Sequence, residues 1–384
     1  MPYKDRLDFR ILNSLLSVVP RKEKKPDYYV RYLPVDKIGQ KESLRLSKEI
    51  HRILSDSRYT NLGRLVHSTM IIRSLKEGRK LSTTENNLNT NRRYVFVAGL
   101  PRSGTTNLHN TIINGFKYRG LKFWELVSPE DTRVPRFLDE KIRKIKSFGA
   151  YMLYLYLTPD MQKMHAISTS SYEECWNFFR WTGYCFNYYS QTQIEDYRSF
   201  IDSSDMVEQF MIYKNYIDSV NLSADPYGLK CPEHLMFFNE LDSCFPNSHI
   251  LWIHRDPVYS LGSFCKMMNT VCSLYYGEVD KKEIGAFLLQ YYKLMLKTAI
   301  NDRKDIQTKV IDISFNQLIS DPNTLIDELF IKINANTKAR IDKKKSTKNF
   351  KNKLKYSIDS YGLDRDRVEQ ELDFYYTSYK DFLI

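Results

Sequence analysis

Residues 94–107 read YVFVAGLPRSGTTN. Five β-prone residues, 94–98, lead into Gly99, four further residues, Gly104 and then Thr105 and Thr106. This is the frame of a phosphate-binding loop, G-x-x-x-x-G-K-[ST], without its lysine. Thr105 stands in the lysine's place, and the nearest cation is Arg102, inside the loop. The two glycines let the backbone curl so that successive amide N–H groups converge on one anion. A helix opening at Thr105 and Thr106 turns its N-terminal dipole on the same point. In a nucleoside triphosphatase the lysine reaches the β- and γ-phosphates, and the hydroxyl residue after it holds magnesium. A loop with an internal arginine instead suits an anionic group transferred or left behind without a metal.

The strand-and-turn rhythm recurs downstream. Short apolar runs at 227–230 (YGLK), 250–253 (ILWI) and 309–313 (KVIDI) each precede a turn and a helical pattern. That alternation predicts an α/β fold of P-loop type, a parallel sheet flanked by helices. An insertion rich in Tyr, Phe and Trp, about 116–226, separates the first two strands. Upstream, ESLRLSKEIHRIL (42–54) places Leu44, Leu46, Ile50, Ile53 and Leu54 on roughly one helical face, and LGRLVHSTMIIRSL (62–75) repeats the pattern. A polar connector, STTENNLNTNRR (82–93), then leads to the sheet. The expected division is a helical extension, 1–90, packed on an α/β domain, 91–384. Near the C-terminus, 338–355 holds nine basic residues and one acid, and a last helix is expected in DRDRVEQELDFYYTSY after Gly362.

Bulk composition narrows the class. With 384 residues and 42% apolar content the chain has enough material for a full core. A net charge of +12 favours anionic partners. Nucleic acid would rest on that charge alone, since no binding motif accompanies it. The six cysteines, at 175, 185, 231, 244, 265 and 272, show no C-x-x-C pair and no dense framework, which fits reduced thiols in a cytoplasm. No Cys/His cluster has zinc spacing, so no metal is expected. No apolar run approaches the roughly 18 residues that a membrane span needs, and no signal sequence is recognisable at the start.

GLPRSGTT (99–106) resembles the 5′-phosphosulfate loop of the sulfotransferases, which use 3′-phosphoadenosine 5′-phosphosulfate (PAPS) in place of ATP. In that family an arginine ending a strand and a serine eight residues later bind the 3′-phosphate. ILWIHRDPVYSLGSF (250–264) has Arg255 and Ser263 at that spacing. Asp256 can cap the following helix, Pro257 suits its first position, and Ser263 falls two turns along on the same face. The resemblance continues through KFWELVSPEDTRVPR, YEECWNF, GLKCPEHLMFFNELDSCFPNSHILWIHRDP, DISFNQLISDP and YSIDSYGLD. They fall in the order seen in the large sulfotransferase group that includes the protein-tyrosine sulfotransferases. Cys231 departs from the serine common at that position.

The resemblance implies sulfonate transfer from PAPS to an unidentified hydroxyl or amine acceptor, releasing adenosine 3′,5′-bisphosphate. Such a reaction needs a base, positive charge on the transferring group, and stabilisation of the departing phosphate. Arg102, Ser103, Gly104, Thr105 and Thr106 would hold the 5′ end, and Arg255 and Ser263 the 3′-phosphate. Lys353 and Lys355, in the basic run, would cover the 3′-phosphate or adenine. Lys230 ends the second strand, where neighbouring parallel strands converge on a crevice, and the resemblance puts it on the sulfonate. Glu125 matches the glutamate base of the tyrosine enzymes and ranks ahead of His234, which follows the second strand as the histidine base of small-molecule sulfotransferases does. His109 and His254 read as packing groups, and His165 as a residue able to reach the acceptor. Trp176, Phe178, Phe179, Trp181 and Tyr184 have the spacing of a core-facing helix. Two other readings stay open: a nucleotide- or anion-binding protein without chemistry, and a P-loop kinase, which the missing lysine disfavours.

Overall fold

The computed structural model describes residues 6–18, 24–81, 92–130, 134–164, 167–185, 199–202, 204–220, 225–336 and 357–383. Four strands, β1 (Tyr94–Ala98), β2 (Tyr227–Lys230), β3 (Ser248–His254) and β4 (Lys309–Ser314), form one parallel sheet in the order β2-β1-β3-β4. Tyr94 pairs with Tyr227 on one side and Ser248 on the other, and His254 pairs with Ser314 at the far end. β3 is longer than the apolar run ILWI. Ser248, His249 and His254 extend it because the ladder is made of backbone groups and does not require an apolar side chain.

All five residues of β1 are buried, as expected of a strand covered on both faces. Its side chains alternate between two cores. Tyr94, Phe96 and Ala98 join the larger one with the N-terminal helices, the insertion and the helices Pro257–Tyr276 and Lys281–Asp302. Val95 and Val97 join a smaller one with Leu108 and Ile112 of the loop helix, Leu318 of the helix Phe315–Ser320, and Leu325 and Leu329 of the helix Pro322–Lys332.

The insertion folds largely as helices: Phe123–Val127, Arg136–Leu157, Met161–Met164, Trp176–Thr182 and Met206–Val220. Phe178, Phe179, Trp181 and Tyr184 are core residues, and the first two pack their rings on Tyr213. Trp176 is only partly buried. The upstream segment is helical too, with Gln40–Leu54 and Asn61–Gly78 as its main elements. In the first, Leu46, Ile50, Ile53 and Leu54 are buried, but Leu44 faces outward. Residues two positions apart on a helix lie some 200° round its axis, so Leu44 and Leu46 cannot share a narrow face. The second helix lies backbone to backbone on the main domain. A Cβ on Gly63 would meet the Tyr275 carbonyl oxygen at 2.0 Å, and one on Gly78 the Trp181 carbonyl oxygen at 2.0 Å. The expected last helix is two, Arg365–Glu371 and Asp373–Leu383. No helix among the described residues is long and apolar enough to cross a membrane.

Candidate active site

β1 delivers the chain into the glycine loop at the sheet's C-terminal edge. Ser103 N–H closes a turn on the Leu100 carbonyl at 3.0 Å, and Asn107 and Leu108 both donate to the Gly104 carbonyl to start the helix Thr105–Phe116. Gly104 has φ 105°, and a Cβ there would stand 2.7 Å from the Phe315 ring. Arg102 also lies in the left-handed region, at φ 68°. A non-glycine residue held there costs on the order of 1 kcal/mol, and the cost is met by what its side chain and carbonyl reach.

Those contacts join the two motifs. Arg102 donates through Nε to Ser263 Oγ at 3.1 Å and through Nη2 to the Met164 carbonyl at 2.7 Å. Its own carbonyl accepts from Arg255 Nη1 at 3.0 Å. Arg255 also lies over the Phe315 ring, 4.2 Å from the centroid. Burial holds the Arg255 pKa below the usual arginine range. Ser263 sits on the helix Pro257–Tyr276, whose first N–H groups are capped by Asp256 accepting from Val258 N–H at 3.0 Å. Arg365 and Tyr376 donate to the same carboxylate at 3.1 and 2.7 Å and tie it to the C-terminal helices. β1 and β3 are sheet neighbours, and the sequence leaves β1 for β2 on one side and reaches β3 on the other. The crevice at such a reversal is the usual ligand site of an open parallel sheet.

Lys230 ends β2 and is wholly buried. Its Nζ donates to Glu174 Oε1 at 2.7 Å and to Thr106 Oγ1, on the loop helix, at 3.3 Å. Burial alone would depress the lysine's pKa. The facing carboxylates of Glu174 and Glu173 overcome that and raise it, so the ammonium stays charged. Glu174 takes a second bond at its other oxygen from the Trp176 indole N–H at 2.7 Å. Cys175 N–H donates to the Lys230 carbonyl at 2.9 Å and fixes this segment against the strand end. Beside it, the Cys231 thiol donates to Glu233 at 2.7 Å. Burial, and then the Glu174 charge, push Glu233 up to about 7.

The two base candidates lie elsewhere around β2. Glu125 is buried in the short helix Phe123–Val127, and both its oxygens are engaged. Oε1 receives Arg119, and Oε2 accepts from Lys122 N–H at 2.9 Å. Arg119 also donates to the Tyr227 hydroxyl at 3.2 Å, at the opposite end of β2 from Lys230. His234 is fully buried, edge-on to Phe96 at 5.1 Å, and burial lowers its pKa to about 3, so it is neutral. His109 donates to the Gly228 carbonyl at 2.9 Å, and burial, with Lys230 adding to it, lowers its pKa to about 3 as well. His254 is held between Asp312 and Tyr375, each at 2.9 Å. His165, Lys353 and Lys355 lie outside the described residues.

The sequence reading passed over Glu174 and Glu233. The available signal was a doubled acid, Glu173-Glu174, embedded among aromatics, since acids among apolar neighbours need a cation. Among the described residues no group of His, Cys, Asp and Glu has metal-binding geometry.

A sulfotransferase family model matches residues 94–334, from β1 past the helix Pro322–Lys332. The chain belongs to the sulfotransferase family. Two solved structures share its fold. Sulfotransferase STF1 from Mycobacterium tuberculosis superposes with a TM-score of 0.62 at 18% identity, covering 97% of this chain and 99% of that one. Sulfotransferase STF9 from Mycobacterium avium superposes with a TM-score of 0.71 at 15% identity, covering 96% and 95%. Among curated proteins none matches.

Proposed function

We propose that this protein transfers a sulfonate group from PAPS to a hydroxyl or amine acceptor and releases adenosine 3′,5′-bisphosphate. The observation that carries the reading is the contact chain from Ser263 through Arg102 to Arg255. It joins a lysine-free phosphate loop after β1 to an arginine–serine pair after β3. A nucleotide with anionic groups at both its 3′ and 5′ ends fits such a joined site, whereas a γ-phosphate with magnesium would call on a loop lysine that is missing.

PAPS would supply the sulfonate and a stable leaving group. The loop amides, Ser103, Thr105 and Thr106 would hold the 5′ end beside the N-terminus of the loop helix, with Arg102 alongside. Arg255 and Ser263 would hold the 3′-phosphate. Lys230, buried and charged, would stabilise negative charge on the sulfonate and its bridging oxygen. The proton acceptor is to be sought among Glu125, His234 and the carboxylates beside Lys230. The division into a helical extension, 1–90, and an α/β domain, 91–384, belongs to the same proposal. All six cysteines are free thiols, which supports placing the activity in the cytoplasm.

Calorimetry tests the donor. Adenosine 3′,5′-bisphosphate should bind without metal and more tightly than ADP or magnesium-ATP. Arg255→Ala should weaken it by about tenfold to a hundredfold, the worth of one charged hydrogen-bonding contact. A preference for magnesium-ATP would overturn the reading in favour of a kinase.

A further inference from the structure

We infer that Glu174 takes the acceptor's proton, and that Lys230 restrains it until the sulfonate donor is seated. The inference rests on the transfer reading above and names a residue for the step which that reading leaves unassigned.

Three observations carry it. First, the Lys230 ammonium has three N–H donors, of which Thr106 and Glu174 take two. Second, Lys230 is wholly buried, whereas the Glu174 side chain keeps 18% exposure, so the carboxylate is the outward member of the pair. An acceptor arriving from solvent meets it before the lysine. Third, the carboxylate is aimed by neighbours on both sides, through the Trp176 indole N–H and the Cys175–Lys230 backbone bond. Glu125 is placed differently. Its side chain is only 5% exposed, and its partner Arg119 leads to the other end of β2.

The restraint follows from electrostatics. While Lys230 faces Glu174, the pair favours the ionised carboxylate and a weak base. A sulfonate drawing the ammonium toward the loop weakens that attraction, and the Glu174 proton affinity climbs. Groups near Glu174 include Glu233, the Cys175 and Cys231 thiols and the His109 and His234 imidazoles, and Glu173, its neighbour in sequence, faces the same Lys230. Charge on either neighbouring carboxylate pushes Glu174 in the same direction. In the transfer step the acceptor oxygen's lone pair forms the bond to sulfur. The bond from sulfur to the bridging oxygen breaks, and its electron pair leaves with the bisphosphate. The acceptor's proton passes to the Glu174 carboxylate.

Proton counting tests this without knowledge of the acceptor. PAPS is titrated into the full chain by calorimetry in buffers of differing ionisation enthalpy, at several pH values from about 4.5 upward, since a carboxylate freed of its cation gains a proton at a higher pH than one still paired. The expected result is net proton uptake on binding PAPS that is larger in the wild type than in Glu174→Gln; comparing one ligand across proteins cancels the nucleotide's own phosphate, which titrates near about pH 6. Glu174→Gln should lose that extra uptake while PAPS affinity stays within a few-fold, and Glu125→Gln should keep it. Glu174→Asp keeps the charge facing Lys230 and guards against a folding defect: its uptake should persist with a displaced pH midpoint. Uptake that survives undiminished in Glu174→Gln, loses the extra part in Glu125→Gln, keeps its midpoint in Glu174→Asp, or is missing from a wild-type chain that binds PAPS overturns the assignment. Failure of the wild type to bind PAPS at all is a separate outcome, and it sinks the transfer reading itself.

Discussion

Lys230 shows how much of the site is decided by single side chains. A wholly buried ammonium is tolerated because Glu174 faces it at 2.7 Å, and removing one partner strands the other. Lys230→Met should therefore lower stability by about 3 kcal/mol, and the double change Lys230→Met with Glu174→Gln should recover part of it. Urea unfolding of the wild type, both single variants and the double variant measures both effects. Glu233 gives a second residue-scale prediction. Its folded pKa is raised, from 4.5 to about 7, so the folded state binds more protons than the unfolded state within that window. Its contribution to stability is present at low pH and is lost as pH rises from about 4.5 to 7. Glu233→Gln should flatten that part of the stability–pH curve relative to wild type, by a few kcal/mol over the window. An unchanged slope would show that Glu233 ionises normally. The Lys230–Glu174 pair also marks a limit of sequence reading. Its members are 56 positions apart, and nothing in either local pattern names the other.

At the scale of elements the sequence was far more legible. β1 announced itself as an apolar run because a strand covered on both faces has no polar side to disguise it, and at the edge strand β4 the alternation of Val310, Ile311 and Ile313 with polar residues was enough. The loop and the arginine–serine pair could be picked out because each is a fixed local spacing. Ser263 falls eight residues after Arg255, and helix geometry alone turns it toward the loop. The bond from Ser263 to Arg102 was not legible, since it depends on β1 and β3 being neighbours. The loop element carries its own prediction. Gly104→Ala forces a side chain onto φ 105° and against Phe315, which should cost about 1–3 kcal/mol. It should also weaken bisphosphate binding, because the amides re-aim. Thermal melting and calorimetry read the two effects separately, and full retention of binding would mean the loop amides do not grip the anion.

For the whole molecule, the helical segment upstream of the sheet is a structural partner of the α/β core. Gly63 and Gly78 let the helix Asn61–Gly78 lie directly on main-chain atoms of Tyr275 and Trp181. Periodicity in the sequence identified the helix but not this seam, because glycine carries no hydrophobic signal. Gly78→Ala should lower the melting temperature of the entire protein in one cooperative transition, at a cost of about 1–3 kcal/mol. A separate early transition would instead show that the segment unfolds on its own.

Arg102 bonds to Ser263 with its side chain and receives Arg255 on its carbonyl, so the two anion sites of the proposed reading are held at a fixed separation before any ligand arrives. On that reading they would act as a rigid chelator. Once one phosphate of a nucleotide with two anionic groups is seated, the other would be delivered at a high effective concentration, as in any bidentate ligand on a pre-set frame. A nucleotide cut to a single phosphate forfeits that advantage at both ends. Its affinity should therefore fall well below what half the contacts would suggest.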